Sequence, residues 1–111
     1  MPRQQRQFSR YIADAEKLGK ALREARSEAG MTQIEVAGAS GVPYSTLRAI
    51  ERAHVQEPSF FAVMDICWVI GLRANKLEDL FGKARASRAS TGPNAGARVR
   101  VIDVEASNES P

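Results

Sequence analysis

The sequence predicts an all-α fold, a compact five-helix domain with flexible N-terminal and C-terminal extensions, on three observations. Apolar residues recur three and four positions apart through residues 11 to 81, the period of helices with one buried face. Start and stop signals divide that span: Thr32 with Glu35, Pro58 with Ser59, and the glycines at 30, 41 and 71. The composition agrees, because 43% hydrophobic residues with only 6% aromatics suit a small core of Leu, Ile, Val and Ala. A chain of 111 residues has room for one such domain and its tails.

In chain order, residues 1 to 10 are rich in Gln and Arg with Phe8 as the lone apolar anchor, and are expected to be a flexible basic segment. Tyr11, Ala15, Leu18, Leu22 and Ala25 then share one helical face, with Lys17, Lys20, Arg23 and Glu24 mostly off it, and Gly30 ends the helix in a left-handed conformation. Thr32 and Glu35 form a capping box that starts a second helix, Gln33 to about Ser40, with Ile34, Val36 and Ala37 as its apolar positions. Gly41 makes the turn and Val42 plugs the core at the corner.

Pro43, with fixed φ and no N–H, fits only at or just before a first helical turn, so a third helix is expected from about Pro43 to Ala53. Leu47 and Ile50 point inward, which leaves Tyr44, Ser45, Arg48, Ala49 and Arg52 on the rest of the surface. Ser59 caps a fourth helix running through Phe60, Val63, Met64, Cys67, Trp68 and Ile70 to Gly71. A short fifth helix, around Lys76 to Phe81, brings Leu77, Leu80 and Phe81 back onto the core. The domain is therefore expected over residues 11 to 82, with 83 to 111 as linker and tail. KARASRASTGPNAGA reads as a flexible linker, and RVRVIDVE, residues 98 to 105, alternates like a strand.

Composition also excludes classes of function. A single cysteine, Cys67, and a single histidine, His54, cannot build the usual zinc clusters, and Cys67 has no partner for an intramolecular disulfide. No metal or cofactor is expected, and a cytoplasmic setting is. Residues 2 to 17 contain no signal-peptide core and no run of about 18 apolar residues exists, so neither secretion nor membrane insertion is expected. With one histidine on a loop, no phosphate-cradling glycine loop and no convergent carboxylates, a catalytic site is not expected either. Sixteen Lys and Arg against thirteen Asp and Glu give a charge of +3, which favours a polyanionic partner without specifying one.

Two short helices joined by a turn, the second exposing a polar and basic face, are what reading the major groove requires. Residues 18 to 81 resemble the Cro/phage-repressor type helix-turn-helix family, also called the Xre family. The likeness rests on LREARSEAGMTQIEVAGASGV, STLRAIER, the segment Pro58 to Leu72 ending in IGL, and LEDLF, in that order. It implies a regulator of transcription that binds double-stranded DNA as a homodimer and acts as a repressor. It also implies that Gln33 hydrogen-bonds a phosphate, that Tyr44, Ser45 and Ala49 face base edges, and that Arg48 and Arg52 flank them, with Thr46 in the same DNA-binding set. Arg26 and Glu51 match an Arg and a Glu that pair across the core in that family, a structural ion pair.

The chain departs from the family pattern in three places. Pro43 stands where Ser or Thr usually caps the reading helix. Ala53 stands where Gly commonly ends it, and the loop HVQEP is about one residue longer than usual, so the helix is expected to run slightly past Arg52.

Features outside the motif have two readings each. Arg3, Arg6 and Arg10 form either an arm that follows DNA or an extension without a role. Cys67 reads as core rather than as a redox sensor. The 98 to 105 segment either pairs with a strand, the same one of a second subunit to form a dimer or one in the sheet of another protein, or is disordered. Its strand signal motivates a rival function, an antitoxin or adaptor whose C-terminal tail binds a protein partner.

Overall fold

The computed structural model describes residues 10–91, and among them are five helices and no strand. They are α1 (Ile12–Glu28), α2 (Gln33–Ser40), α3 (Tyr44–Glu51), α4 (Phe60–Ile70) and α5 (Ala74–Thr91). The segments at residues 1 to 9 and 98 to 105, expected as a flexible arm and a strand, lie outside the described residues. Two units are distinguished, residues up to Phe81 and residues from Gly82 onward.

In the first unit α1 and α2 each pack on both α3 and α4. Of the stripe expected on α1, Ala15, Leu18 and Leu22 enter the core and Ala25 packs at its edge, while Tyr11 precedes the helix and is half-buried. Val36, Val42, Leu47, Ile50 and Ile66 meet them from the other helices, with Leu77 and Phe81 of α5 half-buried against the cluster. Gly30, Gly41 and Gly71 all have positive φ, near 70° to 80°, where a side chain would be strained.

Three expectations need correction. Ile34 was an apolar position of α2 but is 69% exposed, because Val36 and Ala37 already fill the inward side of so short a helix. The fifth helix is not a short one ending at Phe81; it spans 18 residues and takes up KARASRAST, expected as linker. Ala, Arg and Lys are strong helix formers, and one interior glycine, Gly82, costs only about 1 kcal/mol. The third helix does not run past Arg52: its last helical residue is Glu51, and Ala53 already has φ 60°.

Candidate nucleic-acid interface

The turn between α2 and α3 is built by local hydrogen bonds. At the start of α2, the Glu35 amide donates to Thr32 Oγ1 (3.1 Å) and the Thr32 amide donates to Glu35 Oε1 (2.9 Å), so both halves of the capping box are present. At its end, Gly41 turns left-handed, Ser40 Oγ donates to the Ala37 carbonyl and accepts from the Val42 amide, and Val42 is driven into the core. Pro43 then precedes α3 with φ −57° and ψ 142°, and its carbonyl accepts the first helical bond, from Leu47 (3.0 Å). It offers no side-chain cap. The N–H groups of the first turn of α3 have no partner within the helix, so they point outward as donors, the arrangement that binds anions at helix starts.

Along α3, Leu47 and Ile50 are buried and the opposite side is polar. Tyr44, Ser45 and Arg52 are exposed, while Thr46, Arg48 and Ala49 are half-buried. The Arg48 guanidinium lies over the Tyr44 ring, 5.5 Å from its centroid. That contact joins two side chains one helical turn apart and occupies the face of the guanidinium rather than its N–H edges. The structure therefore brings Tyr44, Ser45 and Arg48 onto one helix, with Arg52 at its C-terminal cap.

Gln33 belongs to a different cluster. Glu51, only 1% exposed, receives Arg26 through two bonds, Nε to Oε2 at 2.8 Å and Nη2 to Oε1 at 3.0 Å. The Gln33 Nε2 donates to the same Oε1 at 2.9 Å. Arg26 Nη1 also donates to the Met31 carbonyl in the α1–α2 turn, and Arg23 Nη1 donates to the Glu51 backbone carbonyl. The bond to Glu51 raises the Arg26 pKa above its ordinary value; desolvation opposes that shift and the charge of Glu51 adds to it. One carboxylate thus fastens α1, α2 and α3, the expected Arg26–Glu51 pair together with an amide partner that the sequence did not reveal. One hydrogen of the Gln33 amide remains for a partner outside the protein.

Gly19 is the other residue missed by the sequence reading. A Cβ there would stand 2.5 Å from the Glu51 carbonyl and 3.0 Å from that of Ile50, so α1 approaches the end of α3 at a distance only glycine permits. The signal was faint: a glycine inside a helical stripe, which lowers helix propensity unless packing demands it. Past Glu51, the His54 amide donates to the Ala49 carbonyl and the Ala53 amide to that of Ile50, closing the helix around the left-handed Ala53. His54 itself is exposed.

Cys67 is buried, and that burial pushes its thiol pKa up, away from the reactive thiolate. No described helix is long and apolar enough to cross a membrane.

Residues 17–80 match a family model described as a helix-turn-helix domain, somewhat over half of the chain. No curated protein and no solved structure matches it.

Proposed function

Because the chain belongs to the helix-turn-helix domain family, a DNA-binding fold, we propose that it is a sequence-specific regulator of transcription that reads the major groove with α3. The observation that carries this reading is the division of α3 into two faces. Its inner face is locked by Leu47, Ile50 and the Glu51 cluster, and its outer face presents Tyr44, Ser45 and Arg48, with Arg52 exposed at its cap. A reading helix needs both, since base contacts discriminate only if the helix cannot re-orient.

In this reading Ser45 and the Tyr44–Arg48 pair meet base edges, and Arg52 and the second hydrogen of the Gln33 amide meet phosphates. Thr46, half-buried in the first turn of α3, belongs to the same DNA-facing set. The N–H groups at the starts of α2 and α3 add phosphate contacts that position the domain without reading sequence. Further parts of the proposal are the Cro/phage-repressor type of architecture, a homodimer that places two α3 helices about 34 Å apart on a quasi-palindromic site, and repression by occupancy.

Selection of bound sequences from a random pool of DNA duplexes tests it. The expected result is an enriched motif with two related half-sites, bound with an affinity that falls steeply as salt rises. Recovery of unenriched DNA, bound only through salt-sensitive contacts, would contradict sequence-specific reading.

A further inference from the structure

α4 is apolar around its whole circumference: in FFAVMDICWVI, Asp65 is the single charged residue. Helices of that kind are normally covered on all sides. Here the core covers one side, through Val63, Ile66, Cys67 and Ile70. The other presents Phe60, Phe61, Met64 and Trp68, which are 66%, 74%, 47% and 88% exposed. Phe60, Met64 and Trp68 are spaced four apart and form one stripe. Phe61 flanks it, its ring edge-on to Phe60 at 5.4 Å between centroids. Aromatic side chains carry roughly 150 to 250 Å² each, so the patch exposes on the order of 500 Å², near the upper limit for the largest apolar patch of a monomer.

We propose that this face of α4 is the dimer surface, on which a second copy of the chain lays its own α4 antiparallel about a twofold axis through Met64. The inference rests on the homodimer of the preceding reading and supplies its interface. A twofold contact requires a patch complementary to itself. The stripe meets that condition: Phe60 and Trp68 lie about 12 Å apart along the helix, with Met64 midway. Antiparallel pairing sets Phe60 of one protomer against Trp68 of its partner, and the flexible thioether of Met64 fills the crossing point.

The area agrees with this occupant. A stable interface covers about 800 Å² on each partner. The patch supplies its apolar centre and leaves the rim to polar neighbours such as Asp65. DNA does not suit the face, which carries no cation and has a carboxylate at its edge.

Trp68 is the only tryptophan in the chain, so its fluorescence reports directly on the patch. The test combines sedimentation of the full chain over a range of concentrations with the Trp68 emission of the same samples, for the wild type and for Met64→Glu. The wild type is expected to dimerise, with an emission maximum that moves to shorter wavelength as the dimer forms. Met64→Glu places two carboxylates at the axis. It is expected to weaken association by roughly thirtyfold or more and to keep Trp68 water-exposed, with an unchanged helical circular dichroism spectrum. Should Met64→Glu lose that spectrum, the doubly substituted Phe60→Ser, Trp68→Ser chain takes its place in sedimentation, with the same expected loss.

A wild-type dimer that these substitutions leave intact overturns the α4 surface but not the homodimer. A wild type that is monomeric throughout, with Trp68 either exposed or covered independently of concentration, overturns both.

Discussion

Glu51 ties the motif together, because its carboxylate is the common acceptor for α1 through Arg26 and for α2 through Gln33. Removing one partner of a buried ion pair leaves the other charge poorly compensated, at a cost of about 3 to 5 kcal/mol. Arg26 is 20% exposed and keeps some contact with water, so Glu51→Ala is expected to lower stability by about 3 kcal/mol, the low end of that range, in urea unfolding followed by circular dichroism. DNA binding would fall with it at any temperature where the domain is partly unfolded, although Glu51 faces the core rather than the groove. The Arg26–Glu51 pair was legible from its resemblance to a paired Arg and Glu in phage repressors. The role of Gln33 within the protein was not, because an amide can bond any donor or acceptor in reach and only the tertiary approach of α2 to α3 selects Glu51.

At the scale of elements, the helix boundaries set by local chemistry were readable. Thr32 with Glu35, Gly41 and Ser59 each act within a few residues, and each was found where the sequence put it. Boundaries that depend on longer competition were not: the residues after Gly82 read as linker, but the helix formers among them carry α5 through to Thr91.

Ala53 is the converse case, a residue whose propensity does not favour the left-handed turn it makes at φ 60°. The left-handed conformation costs a non-glycine residue roughly 1 to 2 kcal/mol, and glycine gives back about 0.5 to 1 through the freedom it has when unfolded. Ala53→Gly is therefore expected to stabilise the domain by about 0.5 to 1 kcal/mol, seen as a rise of a few degrees in Tm. Gly19 should behave in the opposite way. Gly19→Ala gains up to about 1 kcal/mol in helix propensity, but its methyl would meet the Glu51 carbonyl at 2.5 Å. With a backbone oxygen as the obstacle the overpacking cost falls toward the upper part of about 1 to 3 kcal/mol, so a net loss of up to about 2 kcal/mol is expected in thermal or urea unfolding. It would also shift α1 away from α3 and so disturb the placing of that helix.

For the molecule as a whole, the fold class and the polar outer face of α3 followed from periodicity and caps, and the match over residues 17–80 places the chain among helix-turn-helix domains. The exposed side of α4 was not anticipated. Its sequence reads as core, and whether such a helix lies inside one chain or between two depends on how many neighbours the fold provides. Two surfaces of unlike character result, a basic and polar one on α3 and an apolar one on α4. That division suits a protein whose copies pair through one helix and present the other to DNA.

Arg52 offers the cleanest test of the central claim. It is exposed, and unlike Arg48 it is not stacked on Tyr44. DNA affinity of the wild type and of Arg52→Ala should be measured on the selected site at several salt concentrations, beside their thermal unfolding. The expected result is weaker binding, with the salt dependence reduced by the equivalent of about one phosphate contact per protomer, and an unchanged Tm. Equal affinity and equal salt dependence for the two proteins would contradict the placing of Arg52, at the C-terminal end of α3, against the DNA backbone.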